Sequence, residues 1–111
     1  MSTNQAETPV LDLLAEMTAA SLERSELDPK TLMLVRLAAL VAVDAPPVSY
    51  LMNLGVGGQV GVEAGDVQQV MIGIAPVVGG PRIAAAAGNI VRALGLAVAV
   101  SEHDVSDPGI T

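Results

Sequence analysis

Between residues 45 and 100 the chain carries only four charged side chains in 56 positions: Glu63, Asp66, Arg82 and Arg92. Four charges cannot cover such a segment with polar surface, and the core of a single 111-residue domain buries only part of it. Burial against other copies of the same chain is the expected resolution, which makes the protein its own first partner. The remaining charge sits at the two ends. Residues 1–44 hold seven acids and three bases, and residues 101–111 hold three acids with no Lys or Arg, for a net charge of −7. Nucleic acid and anionic membranes both need basic patches that displace counterions, so neither is an expected partner.

The uncharged run at residues 45–62 is long enough to be tested as a membrane span. It contains Pro46, Pro47, Ser49, Asn53, Gln59 and four glycines, which would leave backbone groups unsatisfied in lipid. No Lys or Arg precedes the first apolar residues, so a secretory signal is not expected and the cytoplasm is the expected location.

Hydrophobic residues make up 51% of the chain, yet Tyr50 is the only aromatic and there is no cysteine, so the core has to be aliphatic. Without a thiol, disulfides, iron–sulfur clusters, zinc ribbons and nucleophilic or redox cysteines are excluded. One histidine, His103, leaves no basis for a multi-histidine metal site within one chain. Between Glu102 and Asp104 it reads as a solvated tail residue, and no cofactor or metal is expected.

The apolar periodicity is helical throughout. Val10, Leu13, Leu14 and Met17 follow the i, i+3, i+4, i+7 spacing after Thr8-Pro9, predicting an amphipathic helix to about Arg24. Asp28-Pro29 repeats the capped-proline start. Residues 31–43 are apolar on every side except at Arg36, the signature of a central helix. Asp44-Ala45-Pro46-Pro47 breaks it and opens a third helix, which Gly55, Gly57, Gly58 and Gly61 are expected to end near residue 56. A fourth helix begins at Glu63 to Asp66 and places Val67, Val70, Met71, Ile74, Val77 and Val78 on one face, with a kink expected at Pro76. Gly79-Gly80 closes it. Pro81 starts a fifth, striped by Ile83, Ala87, Ile90, Val91 and Leu94, after which residues 97–100 read as more helix or a short strand. The expected organisation is all-α: a flexible arm over residues 1–8, one bundle of about five helices over 9–100, and an acidic tail over 101–111 with a turn at Asp107-Pro108-Gly109.

Three segments, LDPKTLMLVRLAAL at 27–40, GVEAGDV at 61–67 and IAPVVGGPRIAAA at 74–86, together resemble the carboxymuconolactone decarboxylase family, which includes the alkyl hydroperoxidase D-like proteins. The resemblance implies an all-helical fold and a ring-like homo-oligomer, commonly a trimer or hexamer. The family's peroxidase branch uses a Cys-x-x-Cys pair at the start of the third helix, a His four residues after the second Cys and a Glu twelve before the first. A helix N-terminus favours thiolate there, and the Glu and His relay its proton. Ungapped matching puts Pro46 and Ser49 at the Cys positions, Asn53 at the His and Leu34 at the Glu. All four chemical groups are absent, so no dithiol peroxidase mechanism is available from these positions. The decarboxylase branch needs a general acid and a cation for an anionic substrate. Arg36 and Arg82 could serve as cations, but the apolar middle offers no matching acid.

The remaining candidates have two readings each. Ser49 and Asn53, one helical turn apart, either line an inherited ligand pocket with Tyr50 beside them and Leu34 at its floor, or satisfy backbone groups locally. Tyr50 alternatively fills a core or interface. Arg36 either meets a ligand or pairs with an acid such as Asp44, Glu63 or Asp66; Arg82 is a surface residue or a ligand contact. The expected function is a small-molecule-binding or noncatalytic oligomeric module, and the alternative is a decarboxylase or lyase acting on a small organic acid or lactone.

Overall fold

Prolines open three of the five helices, each at a position where the missing N–H would have had no intrahelical partner. The computed structural model describes residues 8–105, with side chains described as far as Ala97. The helices are α1 (Pro9–Arg24), α2 (Pro29–Ala42), α3 (Pro47–Gln59), α4 (Ala64–Val78) and α5 (Gly80–Val105), and there is no strand among the described residues. Most of the arm, the turn at Asp107 to Gly109 and the side chain of His103 lie outside what is described. Helix α5 runs through residues 97–100 and five residues into the segment read from sequence as a tail.

Helix α2 is the hub, packing against α3, α4 and α5, while α5 also lies along α3 and α4. Its apolar faces explain the position: Leu32, Met33, Leu37 and Val41 are all buried. The buried cluster joins Leu37, Val41, Ala45 and Tyr50 to Ala86 and Ala93 of α5, so small residues on α5 let that helix approach closely.

Two helices end in the same hydrogen-bonded form. At the end of α2 the Asp44 N–H donates to the Val41 carbonyl (3.2 Å) and the Ala45 N–H to that of Leu40 (3.0 Å). At the end of α3 the Gly61 N–H reaches Gly58 O (3.4 Å) and the Val62 N–H reaches Gly57 O (2.8 Å). Both are Schellman closures, which put one residue in the left-handed region. Gly61 takes it at φ 96° without strain, but Asp44 takes it at φ 55° with a Cβ.

Helix α3 therefore passes Gly55, Gly57 and Gly58, three of the four glycines expected to stop it, and ends before the fourth. Gly57 is buried, and a Cβ there would lie 3.3 Å from Val62, so this glycine permits close approach while Gly61 provides the stop. Pro76 lies inside α4, which continues to Val78; Gly79, at φ 89°, then separates α4 from α5 by a single residue.

Helix α1 differs from the rest. It has no buried residue, and Val10, Leu11, Leu13, Leu14 and Met17 are each at least half exposed. Its polar tie to the body is Arg36, whose Nη2 donates to Ser21 Oγ at 2.8 Å.

Candidate functional site

The six candidate residues fall into separate local settings. Asn53, half-buried on α3, donates from Nδ2 to the Met33 carbonyl of α2 at 3.4 Å. The α2 carbonyl next to Leu34 is therefore the acceptor, and the amide joins two helices at the positions matched to the family's His and Glu. Ser49 is half-buried one turn earlier, its N–H donating to Pro46 O at 3.0 Å across the start of α3. Leu34 is half-buried on α2. Arg36 meets the Ser21 hydroxyl, not one of the acids expected from sequence.

Tyr50 is fully buried, and its hydroxyl has no hydrogen-bond partner. Burial pushes the phenol above its ordinary range because the phenolate would be desolvated, and the negative charge of Asp44 adds to the effect. Around this corner Arg82 Nη1 lies 4.0 Å from the Asp44 carboxylate, both side chains about half exposed. Asn89 Nδ2 of α5 donates to the Ala45 carbonyl at 3.2 Å, clamping α5 onto the α2–α3 connection. Asn89 escaped the sequence reading. Its signal was an uncharged polar residue inside the aliphatic stretch 83–91 of that helix.

A second polar corner lies at the α4 start. Asp66 accepts the Glu63 N–H at 2.9 Å and pairs with Lys30 of α2 at 3.2 Å. The backbone donor first, and the Lys30 partner after it, hold the Asp66 carboxyl below its usual range. At the start of α2, Asp28 is lowered chiefly by the Thr31 hydroxyl and then by the Thr31 N–H.

Cavities open elsewhere, on the α3–α4–α5 side. The larger, of about 370 Å³, is walled by Leu54, Val67, Met71, Ala87, Ile90 and Leu94, with Glu63 and Gln68 also on its lining. A smaller one of about 190 Å³ lies between α3 and α5, and Leu54 and Leu94 belong to both. None of the six sequence candidates lines either cavity. Apart from Leu54 of α3, the wall residues are visible in the sequence only as members of the apolar stripes of α4 and α5.

Among the described residues no group of three His, Cys, Asp or Glu is placed to hold a metal ion. No helix among them is long and apolar enough to cross a membrane. No curated protein and no solved structure matches the chain. The model of the carboxymuconolactone decarboxylase family matches residues 8–91, which takes in α1 to α4 and more than a third of α5. With the helical fold and that match over most of its length, this chain belongs to the carboxymuconolactone decarboxylase family, as a member without cysteine.

Proposed function

We propose that the protein is a homo-oligomeric, cytoplasmic, small-molecule-binding member of its family that does no thiol chemistry. The observation that carries the reading is the identity of four positions: Pro46 and Ser49 in place of two thiols, Asn53 in place of the relay His and Leu34 in place of the relay Glu. None of the four side chains ionises near neutral pH. The Asn53 contact with Met33 O supports a packing role where the peroxidases move a proton. Ser49, Tyr50 and Asn53, with Leu34 below them and Arg36 and Arg82 farther out, remain the family-position ligand contacts proposed for the assembled protein.

The exposed aliphatic surface supports self-association, and the family resemblance points to a trimer or hexamer. Besides α1, Val43, Met52, Ile72, Val77 and Val91 are each more than 60% exposed, a load of aliphatic surface that self-association would remove from water. Light scattering at micromolar concentration is expected to give a mass several times 11.2 kDa; a stable monomer would remove the oligomer from the proposal.

The competing reading, a decarboxylase or lyase on a small organic acid or lactone, needs Arg36 and Arg82 to converge on an anion. Arg36 is engaged by Ser21 and Arg82 faces Asp44, which favours the noncatalytic reading. The purified protein is expected to turn over neither hydroperoxides with a dithiol nor small lactone acids. Turnover of an acid substrate that is lost in Arg36→Ala or Arg82→Ala would establish the competing reading.

A further inference from the structure

We infer that the α3–α4–α5 cavity is a binding site for a saturated aliphatic molecule whose polar end donates hydrogen bonds, such as an alkyl alcohol or primary amine. The inference rests on the small-molecule-binding reading but places the ligand away from the family-position residues.

The walls select the body of the ligand. They are aliphatic, with one thioether at Met71, and the chain's sole aromatic is buried in the core and does not line the cavity. No ring is available for stacking, so nothing in the wall favours an aromatic ligand over a saturated one. Met71 lets the wall adapt to chain shape. The volume of about 370 Å³ is within the range that holds small organic ligands.

The lining's polar groups select the head. Glu63 offers a carboxylate, which accepts at up to about four positions and so keeps capacity beside its place at the α4 start. Gln68 adds an uncharged amide, which accepts through its carbonyl and donates through its NH2, so Glu63 alone sets the charge of the lining. No cation lines the cavity, and Lys30, near the same corner, is held by Asp66 at 3.2 Å. A ligand carboxylate would therefore face Glu63 with no positive partner, whereas a hydroxyl or ammonium would be accepted.

The shared walls set the length. Leu54 and Leu94 separate the larger cavity from the smaller one, and Leu94 is 54% exposed and has room to turn. An alkyl chain entering beside Glu63 fills the larger space first and meets this partition.

The test is calorimetric titration of the assembled protein with the alcohols and primary amines from butyl to octyl, and with the matching carboxylates. Affinity is expected to rise about fourfold per methylene, the equivalent of about 0.8 kcal/mol, until the partition is reached. Carboxylates should bind at least about tenfold more weakly than alcohols of equal length, in keeping with an unpartnered charge. Ala87→Leu fills the wall and should weaken binding about tenfold or more. Leu54→Ala removes half the partition and should lengthen the best chain. Glu26→Ala, at an exposed position outside the cavity, should change neither. Equal or tighter binding of the carboxylates, no dependence on chain length, or full affinity in Ala87→Leu would each overturn the assignment. Binding that moves instead with Asn53→Leu would keep the small-molecule reading and reject this site, whereas acid turnover would reject the reading itself.

Discussion

Removing one oxygen from the core should stabilise this protein. Tyr50 is fully buried and its hydroxyl has no partner, so the folded state carries the desolvation cost of a polar group without a compensating bond. That cost is about 1–3 kcal/mol. Tyr50→Phe keeps the ring against Val41 and Ala86 in the same cluster and deletes only the oxygen. The void it leaves, roughly 10–15 Å³, costs on the order of 0.3 kcal/mol at the usual rate for residual cavities. The net expectation is a gain of about 1 kcal/mol. With a urea m-value of about 1–2 kcal/mol/M, the unfolding midpoint should rise by about 0.5–1 M. Far-ultraviolet circular dichroism reports the helices without needing the lost phenol, and equal protein concentrations keep any subunit association out of the comparison. A midpoint that falls by a similar amount would refute the reasoning, because it would mean that the hydroxyl makes a bond in the folded assembly.

The remaining predictions probe the neighbouring corners. Since Tyr50 is the chain's only tyrosine, tyrosinate absorbance should appear at a higher pH in the folded protein than in urea, where it appears near 10.0; coincident curves would contradict its burial. The folded state holds the phenolic proton more tightly, so this group's stabilisation is complete below pH 10.0, is lost as pH rises through the folded value, and is absent in Tyr50→Phe. Asp44→Gly should exceed Asp44→Ala in stability by on the order of 1 kcal/mol, because the left-handed position favours glycine and both variants lose the same loose Arg82 contact. Equal midpoints in thermal or urea unfolding would show that φ at residue 44 is not the cost. Asp28 and Asp66 are both held below 3.8 in the folded state, so their contribution is present above that pH and lost as pH falls through the lower folded values. Asp28→Asn with Asp66→Asn should flatten the acid limb of the stability curve, and an unchanged limb would assign it to other carboxylates.

The helix starts and the central position of α2 were legible because proline and N-cap chemistry act locally and the all-round apolar pattern of residues 31–43 has only one packing solution. The end of α3 was not. Gly55, Gly57, Gly58 and Gly61 look alike in sequence, and only the contact with Val62 and the positive φ distinguish a packing glycine from a terminating one. The candidate site was partly legible: the loss of thiols and relay at 34, 46, 49 and 53 can be read directly, whereas the Asn53 bond to Met33 O spans two helices and cannot. The α3–α4–α5 cavity was hidden for a different reason. Periodicity reports which side of a helix avoids water, and Val67, Met71 and Ile90 fit that pattern equally well whether they pack tightly or enclose a space.

The distribution of apolar surface connects these observations. Among the described residues eight hydrophobic side chains are buried in one chain, and the radius of gyration is 16.4 Å against about 13 Å for a compact domain of this length. Helix α1 buries none of its residues, keeps its large apolar side chains about half or more exposed, and is tied to the body by the Arg36–Ser21 hydrogen bond. A lone helix of 16 residues with that surface has marginal stability, since isolated helices rely on packing of their apolar face. Within the proposed oligomer, α1 would find its missing packing on another copy, and folding would be coupled to protein concentration through the same contacts. The charge pattern fits this division. The acids concentrate in the first 44 residues and the last 11, while the aliphatic middle carries four charges and is left free for contact and for the cavity.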